Sequence, residues 1–532
     1  MTSVRRVAAL LLSVLALATC GEQLSGPSNE LLIVGYDHEP DTMNRFSTHI
    51  LEDIQTCIVE GLTVTDEQMR VVPLLAREVP SLDNGGVVLR PDGGMDVIWK
   101  LRPGVRWHDG RAFTSSDVAF TVEAINSPDW NPESTDGFDR ISGVDTPDSL
   151  TAVVHYRERY AAYALQFVRG ALPRHLLAGK DIERATDYNR NPLGTGPYRL
   201  VEWKTGEYVL LERVPHYWRG DSLPKIKRIM FRFGASTTTR VNQLLAGEVH
   251  VLALVPWDRA RDLASATRTT VARTTGNAYE HVTLNERAVP AFRDVRVRRA
   301  LLLATDREAI TRTILDGLAP VAHGPVQPVS WAYTDSITRW PFDLPRAKAM
   351  LDSAGWRVGA GGVRTRDGAP LRFTLMTQSG FVVRENVAQV LQRQWHDLGA
   401  DVRIELVDGT AISTKWFSGE FDAMLHWWQM PADPDLTLFF AADRTPPAGR
   451  NINYFVDSAL TRLLYAADRE VDQGKRRALL VPAQRRITDQ VPELWLYNVT
   501  RLDAVPTTLR GFKGNPTNVG IFWNVADWDI RP

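Results

Sequence analysis

The chain has 532 residues, with 62 lysines and arginines against 63 aspartates and glutamates and a net charge of -1. So balanced a charge gives no global field to recruit nucleic acid or an anionic membrane surface, and function has to sit in a local site. With 44% hydrophobic and 23% charged residues the composition is that of a globular protein, and the length calls for about three folded units rather than one core.

At the amino terminus Arg5 and Arg6 precede an apolar run from Val7 to Leu17, too short to span a bilayer, which reads as an export signal over residues 1–19. The run closes on Leu17, Ala18, Thr19 and Cys20, similar to a bacterial lipobox in which the Cys20 thiol takes a lipid. Thr19 is a less usual residue before that cysteine, and a plain secretory signal with a chance cysteine is the alternative. Residues 20–30, rich in Gly, Ser and Pro, read as a tether. Cys57, the other of two cysteines, leaves no intramolecular disulfide and lies in the apolar stretch Ile54 to Leu62, which predicts a buried, inert thiol.

The fold is expected to begin near Leu31, with strands at Leu32 to Gly35, Val97 to Leu101 and Leu150 to Tyr156 separated by Gly, Pro and Asp turns. Thr114 stands as a cap before a helix, and Asp294 and Asp306 stand in the same role. Helices are predicted over Asp306 to Asp316 and Ala347 to Ala354, stopped by Gly317 and Gly355. Leu371, Phe373 and Leu375 alternate as in a strand; Val387, Leu391, Trp395 and Leu398 recur at helical spacing; Val402, Ile404 and Leu406 alternate again. That order predicts a parallel strand pair with a crossover helix, hence an α/β class.

Enzyme chemistry finds little support. The sequence has no Gly-x-Ser-x-Gly elbow, no Walker loop, no Cys-x-x-Cys and no His-Glu-x-x-His, and its 11 histidines are scattered. The cluster Gly359, Gly361, Gly362 reads as a loop or hairpin turn rather than a dinucleotide fingerprint. Neither a cofactor nor a metal is expected.

Several ordered segments carry a resemblance: Glu39 to Asn44; Leu101 to Gly110 with Phe113, Thr114 and Asp117; Gly194 to Tyr198 with Trp203; Glu212 to Trp218; Leu245 to Glu248; Asp294 to Arg298 with Ala300 and Asp306 to Ala309; and Asp433, Pro434, Asp435. Together they resemble bacterial solute-binding protein family 5, the oligopeptide, dipeptide and nickel-chelate receptors of ABC importers. The resemblance implies a two-lobed α/β fold of the periplasmic-binding-protein type, with mixed sheets, a two-stranded hinge and an additional domain inserted in the first lobe. It places lobe 1 at 31–72 with 191–285 and 502–532, the additional domain at 73–190 and lobe 2 at 286–501, with crossings near Asn285 and Arg501.

What the resemblance implies for function is a non-enzymatic lipoprotein, working as a monomer, that captures a peptide or peptide-like solute and hands it to an ABC permease with its ATPase subunits. Trp427, Trp428, Gln429 and Met430 are implied as one cleft wall, Ala253 and Leu254 as a second, and the loop with His49 and Ile50 as a third. Met430 stands where peptide receptors often present an aspartate to the ligand's α-amino group, and Asp435 stands where a nickel-chelate binder would carry histidine. A non-peptide solute such as an oligosaccharide, a sensor lipoprotein and, more remotely, a secreted hydrolase are the alternatives.

Overall fold

In the computed structural model the described residues are 26–48, 53–234, 236–264, 268–517 and 520–531. Ten strands form one continuous mixed sheet through both lobes, in the order Asp401–Val407, Arg372–Gln378, Ala423–Gln429, Thr269–Leu284, Glu493–Pro506, Val251–Leu252, Leu32–Tyr36, Arg228–Phe233, Tyr208–Arg213, Tyr198–Lys204. The middle pair, Thr269–Leu284 and Glu493–Pro506, runs antiparallel and is the two-stranded hinge. On one side of it Leu252 pairs with Ala504 and belongs to lobe 1; on the other Ala278 to Leu284 pair with Ala423 to Gln429 of lobe 2.

The hinge breaks its register between Thr275 and Tyr279, opposite Thr500 and Asn498. Gly276 lies in that break, and a β-carbon there would come to 3.2 Å from the Val499 carbonyl oxygen, so the missing side chain lets the two strands cross closely. The crossing expected near Asn285 thus falls several residues earlier on the first strand. Asn285 itself ends that strand inside lobe 2, donating to the Gly419 and Phe421 carbonyls at 3.0 and 2.8 Å.

Lobe 2 contains the predicted crossover: Arg372–Gln378 and Asp401–Val407 pair in parallel and the helix Val382–Leu398 joins them. Its apolar positions Val387, Leu391, Trp395 and Leu398 face a core on one side of the sheet, while Trp428, Met430, Phe439 and Leu464 fill a second core on the other. The expected caps are present. Asp294 and Asp306 accept from Arg296 and Ala309 backbone N–H groups, and Thr114 with Asp117 forms a capping box. The Gly359 to Gly362 stretch is a turn between the short strands Arg357–Val358 and Arg364–Arg366. The additional domain has its own four-stranded sheet, Val87–Leu89, Met95–Lys100, Thr151–Tyr156, Ile141–Asp148, and its own core around Trp99, Trp107 and Phe167. Cys57 is fully buried, and burial holds its thiol well above the usual range, as an inert thiol requires.

Candidate functional site: the cleft across the hinge

Strand direction fixes where the lobes look at each other. In lobe 1, Leu32–Tyr36 runs parallel to Val251–Leu252 and to Arg228–Phe233, and all three end towards lobe 2. In lobe 2, Arg372–Gln378, Asp401–Val407 and Ala423–Gln429 are mutually parallel and end towards lobe 1. The carboxyl ends of two sets of parallel strands therefore face each other across the hinge, the place where loops of α/β sheets bind ligands. From lobe 1 this brings in the turn after Tyr36 and the segment Ala253 to Trp257. From lobe 2 it brings in Phe381 and Val382, both exposed, and the segment from Trp427 to Asp435.

The floor of the cleft is the break in the hinge. Asn277 donates from its side chain to the carbonyls of Met430 and Pro431 at 2.9 and 3.0 Å, accepts from the Met430 backbone N–H at 2.9 Å, and donates its own N–H to Pro516 at 2.8 Å. It thus ties lobe 2's binding segment to a carboxy-terminal segment of lobe 1. The carbonyl oxygens of the Asn277 and Asn498 side chains and the Thr500 hydroxyl are buried without a hydrogen-bond partner among the described residues, so the floor is polar. Replacing Asn277 with alanine would leave the Met430 and Pro431 carbonyls unpaired; a loss of about 1–3 kcal/mol is expected from urea unfolding.

Beside the floor lies a charged hub. Arg501 Nε faces both oxygens of Asp503 at 3.0 and 2.9 Å, and Arg501 Nη2 is 3.6 Å from Asp53, which also accepts the Tyr36 hydroxyl at 2.8 Å. Burial raises the Asp53 carboxyl, with Arg501 opposing it; Asp503 and Asp53 hold the Arg501 guanidinium above its ordinary value against the burial that would lower it. A second buried pair sits under Trp427, its cross-strand neighbour: Arg384 grips Glu280 through Nε and Nη2 at 2.8 to 3.1 Å. Tyr497 pairs with Glu280 on the other side, and the lobe 1 residue Trp257 packs its ring edge on Tyr497 at 5.9 Å.

The profile of the bacterial extracellular solute-binding proteins, family 5, matches residues 70–447. The chain belongs to this family. Among curated proteins this family 5 protein is 28% identical over 509 residues to the oligopeptide-binding protein AppA of Bacillus subtilis (strain 168), covering 93% of this chain and 91% of that one. It is 29% identical over 495 residues to protein XP55 of Streptomyces lividans, covering 91% and 87%. Among solved structures, AppA from Bacillus subtilis in complex with a nonapeptide superposes with a TM-score of 0.78 at 27% identity, covering 96% of this chain and all of that one. NikZ from Campylobacter jejuni in complex with Ni(L-His) superposes at 0.79 with 25% identity, covering 94% and 100%. These likenesses establish the two-lobed fold and the class of extracellular solute-binding proteins, which act in transport and not as enzymes. No helix among the described residues is long and apolar enough to cross a membrane.

In this family 5 protein the residues singled out from sequence separate into two groups. Trp427 is 42% exposed and Gln429 half-buried at the lobe 1-facing end of their strand, with Gln429 donating to Pro516 at 3.4 Å. Trp428 and Met430 alternate to the opposite face and pack in the second core of lobe 2, where the Trp428 indole donates to Glu493 at 3.2 Å. Ala253 is buried in lobe 1, while Leu254 is half-buried, with φ of 56° and its N–H held by Asp503 at 3.0 Å. His49, Ile50 and Cys20 lie outside the described residues. Sequence reading missed Asn277, Arg501, Trp257 and the Glu280–Arg384 pair. The one local signal was Gly276, an isolated glycine inside a strand-forming stretch, which marks a bulge or a close backbone approach.

Proposed function

We propose that this protein is the receptor of an ABC importer and captures a peptide or peptide-like solute between its two lobes. The observation that carries this reading is the opposition of two sets of parallel-strand carboxyl ends across a two-stranded hinge with unsatisfied polar atoms at its floor. Contacts from both lobes exist together only in the closed form, so a solute that makes them shifts the population towards closure, and a permease can read that shape. The names of the relatives, among them an oligopeptide-binding protein, a dipeptide-binding protein of Pseudomonas aeruginosa and a glutathione-binding protein of Pectobacterium atrosepticum, support peptides as the ligand class. In this reading the export signal and Cys20 tether the folded chain to the outside of a membrane, and the protein works as a monomer.

A second reading keeps the receptor and changes the solute. Asp53 and Asp503 at the cleft already face Arg501, Glu280 already faces Arg384, and position 430 is a buried methionine. A ligand ammonium brought to these positions meets no carboxylate that is not already paired, which favours a solute without a free amine there, such as an N-blocked peptide or an oligosaccharide stacked on Trp427.

Mass spectrometry of small molecules released on denaturing the purified mature protein decides between them. Peptides with free amino groups in stoichiometric amount support the first reading and show that another acid binds the amine. An amine-free compound supports the second, and calorimetry showing turnover of the solute would sink both.

A further inference from the structure

Three of the large apolar side chains that lobe 2 leaves exposed stand at its cleft-facing end: Phe381 at 49%, Val382 at 67% and Trp427 at 42% exposure. Single exposed apolar residues are ordinary on a protein surface, but these three share one support. Trp427 continues the face on which Ala423 and Leu425 enter the core beneath the helix Val382–Leu398, and its cross-strand neighbour is Glu280. Arg384, in the first turn of that helix, holds Glu280 at 2.8 to 3.1 Å and lies 5.0 Å from the centre of the Phe381 ring. One arginine thus ties the helix start that carries Phe381 and Val382 to the strand pair that carries Trp427. The turn before the helix is held as well. Gly380, with φ of 86°, donates its N–H to the Glu385 carboxylate at 2.8 Å; Glu385 returns its own N–H to the Phe381 carbonyl at 3.0 Å, and the Ser379 N–H reaches the Val407 carbonyl at 2.8 Å. Across the hinge, Tyr497 is the other neighbour of Glu280 and meets the half-buried ring of lobe 1 residue Trp257, whose indole donates to the Thr500 carbonyl at 2.8 Å. Glu280 and Arg384 satisfy each other, so beneath this apolar ledge a solute meets neither a free cation nor a free carboxylate from the pair.

We propose that Phe381, Val382 and Trp427 form a specificity wall that receives one bulky uncharged side chain of the solute, aromatic or branched aliphatic, and rejects a charged one. This rests on the receptor reading above and names the class of solute it takes. When the lobes close on such a group, apolar surface of both the group and the wall leaves water, and the flat Phe381 and Trp427 rings offer faces against which an aromatic group packs. A charged group in the same place gives up its hydration and gains no partner, because the one buried ion pair beneath the wall is already complete. Burying an aromatic or leucine-sized side chain in place of a small polar one corresponds to roughly ten- to a hundredfold in affinity.

The test uses the mature chain, unfolded in guanidinium chloride and refolded to free it of solute. Equilibrium dialysis against a pool of pentapeptides Gly-Gly-X-Gly-Gly, with X as Phe, Leu, Ser, Asp or Lys and each with a free or an acetylated amino terminus, is read by mass spectrometry. Peptides with Phe or Leu at X are expected to bind roughly ten- to a hundredfold more tightly than those with Ser, Asp or Lys. Phe381→Ser and Val382→Asp, both at exposed positions, are each expected to bring the Phe and Leu peptides down to the level of the Ser peptide while leaving the Ser peptide unchanged. Equal binding for every X, or the parental preference retained in both variants, overturns the proposal and leaves the receptor reading standing. An equal loss for every X in both variants overturns it too, since the wall would then shape the lobe without reading the solute. Binding of no peptide in the pool overturns the peptide reading and this preference together.

Discussion

Replacing Arg501 with methionine is expected to cost about 3–5 kcal/mol of stability at pH 7.5, the usual penalty for removing one partner of a buried ion pair. Asp503 is fully buried and Asp53 nearly so, and both look to this one guanidinium. Tyr36 and the Leu254 N–H would continue to donate to the two carboxylates, but neither carries charge to balance them. The sign of the pH dependence follows. Burial already raises Asp53 and Arg501 opposes that rise, so without Arg501 the folded carboxyl titrates higher still. A raised carboxyl destabilises the fold above its folded pKa and ceases to do so as pH falls towards the unfolded value. The deficit of the variant should shrink between pH 7.5 and pH 5, and Asp53→Asn in the same background should restore part of it at pH 7.5. Urea unfolding followed by tryptophan fluorescence measures both, and a deficit under 1 kcal/mol at pH 7.5 would show that the hub is solvated.

The adjacent tryptophans Trp427 and Trp428 should respond in opposite ways. The Trp427 ring is half exposed at the cleft, so Trp427→Ala removes surface that is covered only when a solute is held. Losing about 1.5–3 kcal/mol of apolar burial corresponds to roughly ten- to a hundredfold weaker binding of the solute identified by mass spectrometry, with stability nearly unchanged. Trp428 is 7% exposed, packed between Trp416 at 5.6 Å and Phe439 at 5.0 Å. Trp428→Ala opens a cavity in lobe 2 and is expected to cost about 3–5 kcal/mol of stability. Titration calorimetry and unfolding on the two variants check the pair; equal affinity losses without a stability difference would mean that the strand presents its other face to the cleft.

That choice between faces was out of reach of sequence. The strand Ala423–Gln429 reads Ala, Met, Leu, His, Trp, Trp, Gln, apolar on both sides because helices cover both faces of the lobe 2 sheet. With no polar face to mark the outside, only register tells which tryptophan points where. The additional domain shows the converse: its turn chemistry at Pro103, Gly104 and Asp109, Gly110 and the cap at Thr114 are local, and they stand in the structure as turn and cap.

By itself the sequence determined the elements whose causes are near neighbours: the crossover Arg372 to Val407 from its periodicities, the helix starts at Asp294 and Asp306 from side chains reaching two or three residues ahead, and the inert Cys57 from its apolar surroundings. The ordered motifs likewise carried the family. Tertiary structure alone decided the cleft. Its floor is built where Thr269–Leu284 meets Glu493–Pro506, partners more than 200 residues apart, and its charged hub joins Asp53 to Arg501 over more than 400. Such contacts leave no periodic trace in either segment, because each partner is selected by a neighbour that only folding brings within reach.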